Sequence, residues 1–263
     1  MKNLTLLVFA LLSLSCYAQD NAAYTKHLFI RNGDTLRCRI LFPKDYNASK
    51  KYPLLVFLHG AGERGSDNEA QLMWGADLFI KNQSNGHPAI VIFPQCPKND
   101  QWANYKRVMN GDKSEFKLDP NAPMRKPLEL VNSLIDSMMA SGKVDKKKIY
   151  LGGLSMGGFG TFELLSRRPE TFAAAIPICG GADNETISNY RPNLPLWIFH
   201  GGSDPVVPVE FSRNVYATLK NSHPNVKYTE YPGVGHDSWK NAFVEPELLN
   251  WLFGKKLKGL KKS

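Results

Sequence analysis

Three residues far apart along the chain carry side chains suited to nucleophilic acyl transfer: Ser155, Asp204 and His236. A serine hydroxyl is a poor nucleophile at neutral pH. It needs an imidazole within hydrogen-bond reach to take its proton, and the imidazole needs a carboxylate to orient it. Ser155 stands in Gly153-Leu154-Ser155-Met156-Gly157, a G-x-S-x-G spacing in which a serine at a cramped strand-to-helix corner is flanked by residues without a Cβ. That pattern is weak alone, but an apolar run from Ile149 leads into it and helix-compatible residues follow to Arg168. Asp204 lies in Gly201-Gly202-Ser203-Asp204-Pro205-Val206-Val207-Pro208, after the apolar run 196–200, and His236 in Gly233-Val234-Gly235-His236-Asp237-Ser238-Trp239, after the run 226–231. Each therefore sits where a strand's carboxyl end meets a loop, the place where open α/β sheets build their sites. Asp183 and Asp237 are rival acids, but neither follows a strand with the Gly-rich, Pro-bounded turn that frames Asp204. The other histidines, His27, His59, His87, His200 and His223, read by default as surface residues.

An oxyanion formed on attack needs two preset donors. The amide of Met156, next after the serine, supplies one by position. The stretch His59-Gly60-Ala61-Gly62-Glu63-Arg64-Gly65 follows the apolar run 54–58 and supplies the other from Ala61, or alternatively Gly62, with His59 holding the loop's shape.

The elements that must position these groups follow from periodicity. Alternating segments on either side of Asn32-Gly33-Asp34 predict an antiparallel hairpin over 27–41. Continuous apolar runs at 54–58 and 89–93 predict strands covered on both faces. Residues 127–142 repeat apolar side chains at helical spacing, with proline in the first turn and glycine at the end. Then come the elbow strand and its helix, the apolar run 172–179, a strand at 196–200, a helix at 209–221, a strand at 226–231 and a helix at 245–253. This alternation, unbroken by any linker, predicts a single doubly wound α/β domain over 20–263, mostly parallel, with an antiparallel start. Residues 97–124 show no clear periodicity and read as a long loop overhanging the site.

The composition, 43% hydrophobic and 22% charged over 263 residues, is that of a globular protein. Six of the nine net positive charges sit on Lys2 and on the five lysines of the last nine residues, which leaves +3 for the rest. The end is a solvated basic tail, and no basic face interleaved with aromatics points to nucleic acid. Met1-Lys2-Asn3, the apolar run 4–14 and Ser15-Cys16-Tyr17-Ala18-Gln19 have the three zones of a secretory signal peptide over 1–19. The expectation is export, to the periplasm or beyond. Cys16 raises a lipid anchor as the one route to a membrane, although Ser13 stands where a lipobox has leucine. Cys38, Cys96 and Cys179 remain after cleavage. Cys38 is expected to be a buried thiol, and Cys96 and Cys179, each following a strand, are a pair that a disulfide would join.

Leu58-His59-Gly60-Ala61-Gly62-Glu63-Arg64-Gly65, Pro94-Gln95-Cys96-Pro97, the elbow 153–158, Asp204 and His236-Asp237-Ser238-Trp239 together resemble the secreted bacterial α/β-hydrolases of the carboxylesterase and phospholipase type. They are similar in particular to the feruloyl and acetyl-xylan esterases of carbohydrate esterase family one and to esterase-like relatives of prolyl oligopeptidase. The resemblance implies an α/β-hydrolase fold with an eight-stranded, mostly parallel sheet, no cofactor or metal, and the triad Ser155, Asp204 and His236. The chain lacks the extra propeller domain of true prolyl oligopeptidases.

The expected activity is a serine esterase acting through an acyl-enzyme on a small-molecule or oligosaccharide ester, such as acyl or feruloyl groups on plant polysaccharide fragments. Trp74, Trp102, Tyr105 and Trp239 are available to line a pocket for a sugar ring or aromatic acyl group. The alternatives are a peptidase or lipid hydrolase with the same triad, and a non-catalytic glycan-binding protein.

Overall fold

The computed structural model describes residues 21–84, 86–111 and 113–257, so the stretch expected to be a signal peptide, Cys16 within it, and the last of the tail lysines lie outside the described residues. The strands are β1 (Tyr24–Arg31), β2 (Asp34–Leu41), β3 (Tyr52–Leu58), β4 (Ile90–Gln95), β5 (Tyr105–Asn110), β6 (Lys113–Leu118), β7 (Val144–Leu154), β8 (Ala174–Ile178), β9 (Leu196–Gly201) and β10 (Val226–Tyr231). The helices are α1 (Ala76–Ser84), α2 (Lys126–Ala140), α3 (Met156–Arg167), α4 (Asn184–Ile187), α5 (Glu210–Leu219), α6 (Trp239–Ala242) and α7 (Leu248–Phe253).

Eight strands form one sheet in the order β1-β2-β4-β3-β7-β8-β9-β10. The β1–β2 and β2–β4 pairs are antiparallel and all the others parallel. This is the α/β-hydrolase arrangement with an antiparallel amino-terminal hairpin. Asn32 and Gly33 both take positive φ at the first turn, the conformation that an Asn-Gly hairpin needs.

The period-two alternation of β3 shows why its whole run is apolar. Leu54, Val56 and Leu58 face one core with the helices α2, α3 and α5, while Leu55 and Phe57 face the other with α1, α6 and α7. A strand covered on both faces has no polar side to offer. Each fully buried side chain of this kind contributes about 1.5–3 kcal/mol, which holds the central strands rigid beneath the loops they carry.

Two expectations are corrected here. Residues 97–124 are not an unstructured loop: β5 and β6 pair as a separate antiparallel hairpin in register Tyr105↔Leu118 to Asn110↔Lys113. The hairpin packs Tyr105 and Phe116 on Phe159 of α3 and on Phe211 of α5. Asn110 is still paired, with Lys113, and Gly111 at φ +59° opens the turn, so here the glycine stands at the first turn position and not the second as in the first hairpin. Nor do Cys96 and Cys179 form a bridge, since Cys38, Cys96 and Cys179 are all free and buried. Cys96 follows β4 and Cys179 follows β8, three strand spacings away, roughly 14 Å at the usual inter-strand distance. They also belong to opposite core layers. A disulfide spans at most about 7 Å between Cα atoms.

Candidate active site

Strand β7 turns into α3 at Ser155, whose backbone sits at φ 53°, ψ −117°, a strained conformation for a residue with a side chain. Two close approaches force it. A Cβ on Gly157 would overlap the carbonyl of Leu58, and one on Gly153 would overlap the carbonyl of Gly157, so both flanking positions admit only glycine. The Ser155 amide donates to the Ile178 carbonyl at 2.9 Å, and the corner is thereby pinned between β3 and β8.

The three sequence-selected residues meet there. Ser155 Oγ lies 2.8 Å from His236 Nε2, and His236 Nδ1 lies 2.7 Å from Asp204 Oδ2. The Asp204 side chain is wholly out of solvent, whereas that of His236 retains 20% exposure. A buried carboxylate requires partners on both oxygens. Oδ1 accepts the amides of Val206 (2.8 Å) and Val207 (2.9 Å), and Oδ2 faces both His236 Nδ1 and His200 Nε2 (3.3 Å). Burial alone would raise the carboxyl pKa, but the hydrogen bonds from His200 and His236 and the positive field of His236 override it and hold Asp204 well below the ordinary 3.8. A permanently ionised Asp204 fixes the Nδ1–H tautomer of His236, which leaves Nε2 free to accept from the serine.

His200 is not the surface histidine its lone occurrence suggests. It is the penultimate residue of β9, has no exposure, and contacts Val207 O at 3.0 Å through Nε2 and Ser212 Oγ at 2.7 Å through Nδ1. It thus ties the acid loop to α5 as well as touching the acid. The available signal was its place at the end of an apolar strand, four residues before the acid. His59 and His223 are likewise buried. His59 Nδ1 donates to Gly60 O at 2.6 Å, and Nε2 accepts the Cys96 amide at 2.9 Å. Burial pushes its pKa down to about 4, so it is neutral and its 4.0 Å approach to Glu63 is not an ion pair. It braces the loop after β3, as its position implied.

That loop lies against the nucleophile: a Cβ built on Gly60 would be 3.6 Å from Ser155 Cβ. Ala61 opens a short 3-10 turn (Ala61–Glu63) and Met156 opens α3, and first-turn amides have no acceptor within their own helix. Neither donates to another backbone group among the described residues. Glu63 is buried beside them, burial raises its carboxyl pKa against the lowering influence of the Gly60 amide and the Trp74 indole, and Oε2 has no hydrogen-bond partner among the described residues. Gln95 clasps the far side of the loop through the Asn68 amide (2.8 Å) and Asp67 Oδ1 (3.0 Å).

The rival acids have other work. Asp183 caps α4 by accepting the Glu185 amide, and Asp237 pairs with Lys240 at the surface. Of the four aromatics, Trp74 and Trp239 are part-exposed, lie 5.6 Å apart between ring centroids, and Trp239 stands edge-on to His236 at 5.5 Å. Trp102 is a correction: it has no exposure, and its indole donates to the His59 carbonyl at 3.0 Å, so it fills the core beneath the loop instead of lining a pocket. Tyr105 is half-buried against Phe159 and Phe116, where it anchors the β5–β6 hairpin. The cavity between that hairpin and α3 measures about 30 Å³, room for a water and not for an acyl chain.

The one His/Cys/Asp/Glu cluster with metal-like spacing among the described residues is Cys179, Asp204 and His236. It does not suit a cation. Burial raises the Cys179 thiol far above its ordinary pKa, and Asp204 and His236 already spend their facing atoms on each other.

Comparison with known proteins accords with this geometry. The family model described as Phospholipase/Carboxylesterase matches residues 45–245. A probable carboxylesterase, SOBER1-like, of Arabidopsis thaliana is 25% identical over 248 residues, 89% of this chain and 88% of that protein. Acyl-protein thioesterase 1 of Candida albicans is 23% identical over 214 residues, 76% of this chain and 91% of that protein. A thermostable esterase of known structure superposes with a TM-score of 0.78 at 37% identity, over 90% of this chain, which spans 64% of that longer one.

Proposed function

Given that the chain belongs to the phospholipase/carboxylesterase family and is a serine carboxylic-ester hydrolase, we propose that Ser155, His236 and Asp204 are its catalytic triad and that its substrates are acyl or aromatic acyl esters on polysaccharide fragments. One observation carries the assignment: the continuous relay of 2.8 Å and 2.7 Å from the serine hydroxyl through the imidazole to a buried carboxylate. As Ser155 Oγ attacks the ester carbonyl carbon, His236 Nε2 takes its proton and Asp204 stabilises the imidazolium. The amides of Ala61 and Met156 receive the oxyanion. On collapse His236 returns the proton to the departing alcohol, leaving the acyl group on Ser155. Water, deprotonated by the same nitrogen, then attacks the acyl carbonyl, and the acid leaves as the serine is reprotonated.

The substrate class rests on part-exposed Trp239, which stands beside His236, and on Trp74 next to it, rings that suit a sugar face or a cinnamoyl-type ring. The three zones of residues 1–19 support export, which would place the enzyme where such fragments occur. Replacing Ser155 by alanine tests the role: turnover of a short-chain chromogenic ester falls by at least ~10³-fold with the fold unchanged, and retained turnover refutes the assignment. Feruloylated oligosaccharides, S-acylated peptides, phospholipids and plain peptides assayed side by side test the substrate. A kcat/KM for the S-acylated peptide above that for the glycan ester would move the enzyme to the thioesterases.

A further inference from the structure

Of the two oxyanion donors, Ala61 stands on the less self-supporting stretch of chain. It lies between Gly60 and Gly62 in a three-residue 3-10 turn, Ala61–Glu63, whose N-cap Gly60 brings no side-chain hydrogen bond. Nothing lies within 4 Å of the place that a Cβ on Gly62 would take, so packing does not restrain that residue, and glycine restrains itself least of all. An oxyanion hole works only if its donors are aimed before charge develops. Side chains outside the turn must therefore fix the direction of the Ala61 N–H.

Two of them do so. In a trans peptide the N–H and the C=O point opposite ways. The Gly60 carbonyl accepts from His59 Nδ1 at 2.6 Å, which turns the Ala61 N–H of the same peptide unit away from His59. The carbonyl of the next unit, that of Ala61, accepts from Arg64 Nε at 2.9 Å. The φ and ψ of Ala61 are the only torsions between these two units, so with both carbonyls tied neither is free to drift. Arg64 is in turn held from outside the loop. Its Nη1 donates to the Asp100 carbonyl at 3.2 Å, and the Asp100 carboxylate accepts from Nε (2.8 Å) and Nη2 (2.6 Å) of Arg125, the residue before α2. One guanidinium thus moors the loop to the segment that leads into α2. Arg64 supports the first unit as well. His59 donates to Gly60 in the neutral form whose Nε2 accepts the Cys96 amide. Burial is the main cause that keeps the ring neutral, and the nearby positive charge of Arg64 acts in the same direction.

We infer that Arg64 is a positioning residue for ester hydrolysis: through its hydrogen bonds to the Ala61 and Asp100 carbonyls it keeps the Ala61 amide aimed at the oxyanion. The inference rests on Ala61 as an oxyanion donor. The task needs a fork, because Nε and Nη1 diverge at a fixed angle toward carbonyls on two different segments, whereas the ammonium of lysine is a single point on a mobile stem.

The experiment compares the wild type with Arg64→Lys and Arg64→Ala in steady-state kinetics on a chromogenic ester, in the affinity of an aryl trifluoromethyl ketone, and in a thermal melt. The ketone adds to Ser155 as a hemiketal whose anion calls on the same donors as the transition state. A donor removed outright costs about 10²–10³ in kcat, so one left in place but free to turn is expected to cost about 10–10²-fold. We expect both variants to lose kcat by that factor with KM within about threefold, because the donors act only as charge develops. Ketone affinity should weaken by about the same factor. The melting temperature should move by less than about 4 °C, since Arg64 is half-exposed. Wild-type kcat in Arg64→Lys overturns the inference, since charge without the fork would then suffice. A loss carried by KM, or a loss of kcat with ketone affinity unchanged, overturns it too. A wild type that does not bind the ketone overturns the assignment of Ala61 and this inference with it, whereas wild-type binding that both variants match overturns the role of Arg64 alone.

Discussion

Replacing Asp204 by asparagine separates positioning from folding in this site, and the structure fixes how it does so. The carboxylate faces donors on both sides: two amides at Oδ1, and two histidine nitrogens at Oδ2. Asparagine has one oxygen, so one side must face its NH2 group. Turned toward the loop, the NH2 opposes the Val206 and Val207 amides, neither of which can change its proton. Turned toward the histidines, it opposes only His200 outright, because His236 can move its proton from Nδ1 to Nε2. The second orientation is cheaper. It leaves one buried conflict, about 1–3 kcal/mol of stability, and puts a proton on the nitrogen that must accept from Ser155 at 2.8 Å. The expected result is a folded protein whose kcat falls by about 10³–10⁴-fold, or roughly 4–5.5 kcal/mol of barrier. Steady-state kinetics on a chromogenic ester and a thermal melt measure both. Turnover within tenfold of wild type would refute the reasoning, as would unfolding at room temperature.

Gly157→Ala drives a methyl into the backbone of Leu58 and His59, where no rotamer offers escape; a loss of at least ~3 kcal/mol is expected by thermal or chemical denaturation. Activity should fall further than stability, because the displaced segment leads into Gly60 and Ala61. Glu63 carries a raised pKa from burial, so its ionised form costs stability as pH rises through the interval above the ordinary 4.5. Glu63→Gln is therefore expected to raise the melting temperature more at pH 7.5 than at pH 4, and the reverse order would contradict it. Asp204 is depressed, so its contribution has the opposite sign: it is fully present above 3.8 and is lost as pH falls through the lower folded-state value. The acid limb of a pH–stability curve should accordingly flatten in the Asp204→Asn variant. Trp239→Ala, with an indole part-exposed beside His236, is expected to raise KM for an aromatic acyl ester several-fold more than for acetyl esters.

Much of this was legible in the sequence because one physical cause wrote each signal. Runs such as 54–58 are apolar throughout since both faces are covered, and the glycines around Ser155 are obligatory since backbone occupies the space of their Cβ atoms. The β5–β6 hairpin escaped notice because its strands are short and charged and turn only Tyr105, Phe116 and Leu118 inward, toward Phe159. Gly111, which opens its turn, was nonetheless a readable break. Trp102 illustrates a different limit: an indole that packs under a loop and one that lines a pocket look identical until the partner of its N–H, here the His59 carbonyl, is known. Gln95 acts through contacts to residues distant in sequence, and His200 through a turn that folds Asp204 back onto it, and residue type alone does not announce such contacts. The proposed Cys96–Cys179 bridge failed because adjacency to a strand end says nothing about strand order.

The central claim is that Ser155 is made nucleophilic by its relay. Its most direct test is treatment of the native enzyme with a fluorophosphonate, followed by intact-mass and peptide mapping. The account predicts a single adduct on Ser155 that forms with loss of ester turnover and is slowed at least ~10²-fold by His236→Ala. A native enzyme that stays unlabelled, is labelled elsewhere, or is labelled as fast without His236 would contradict it.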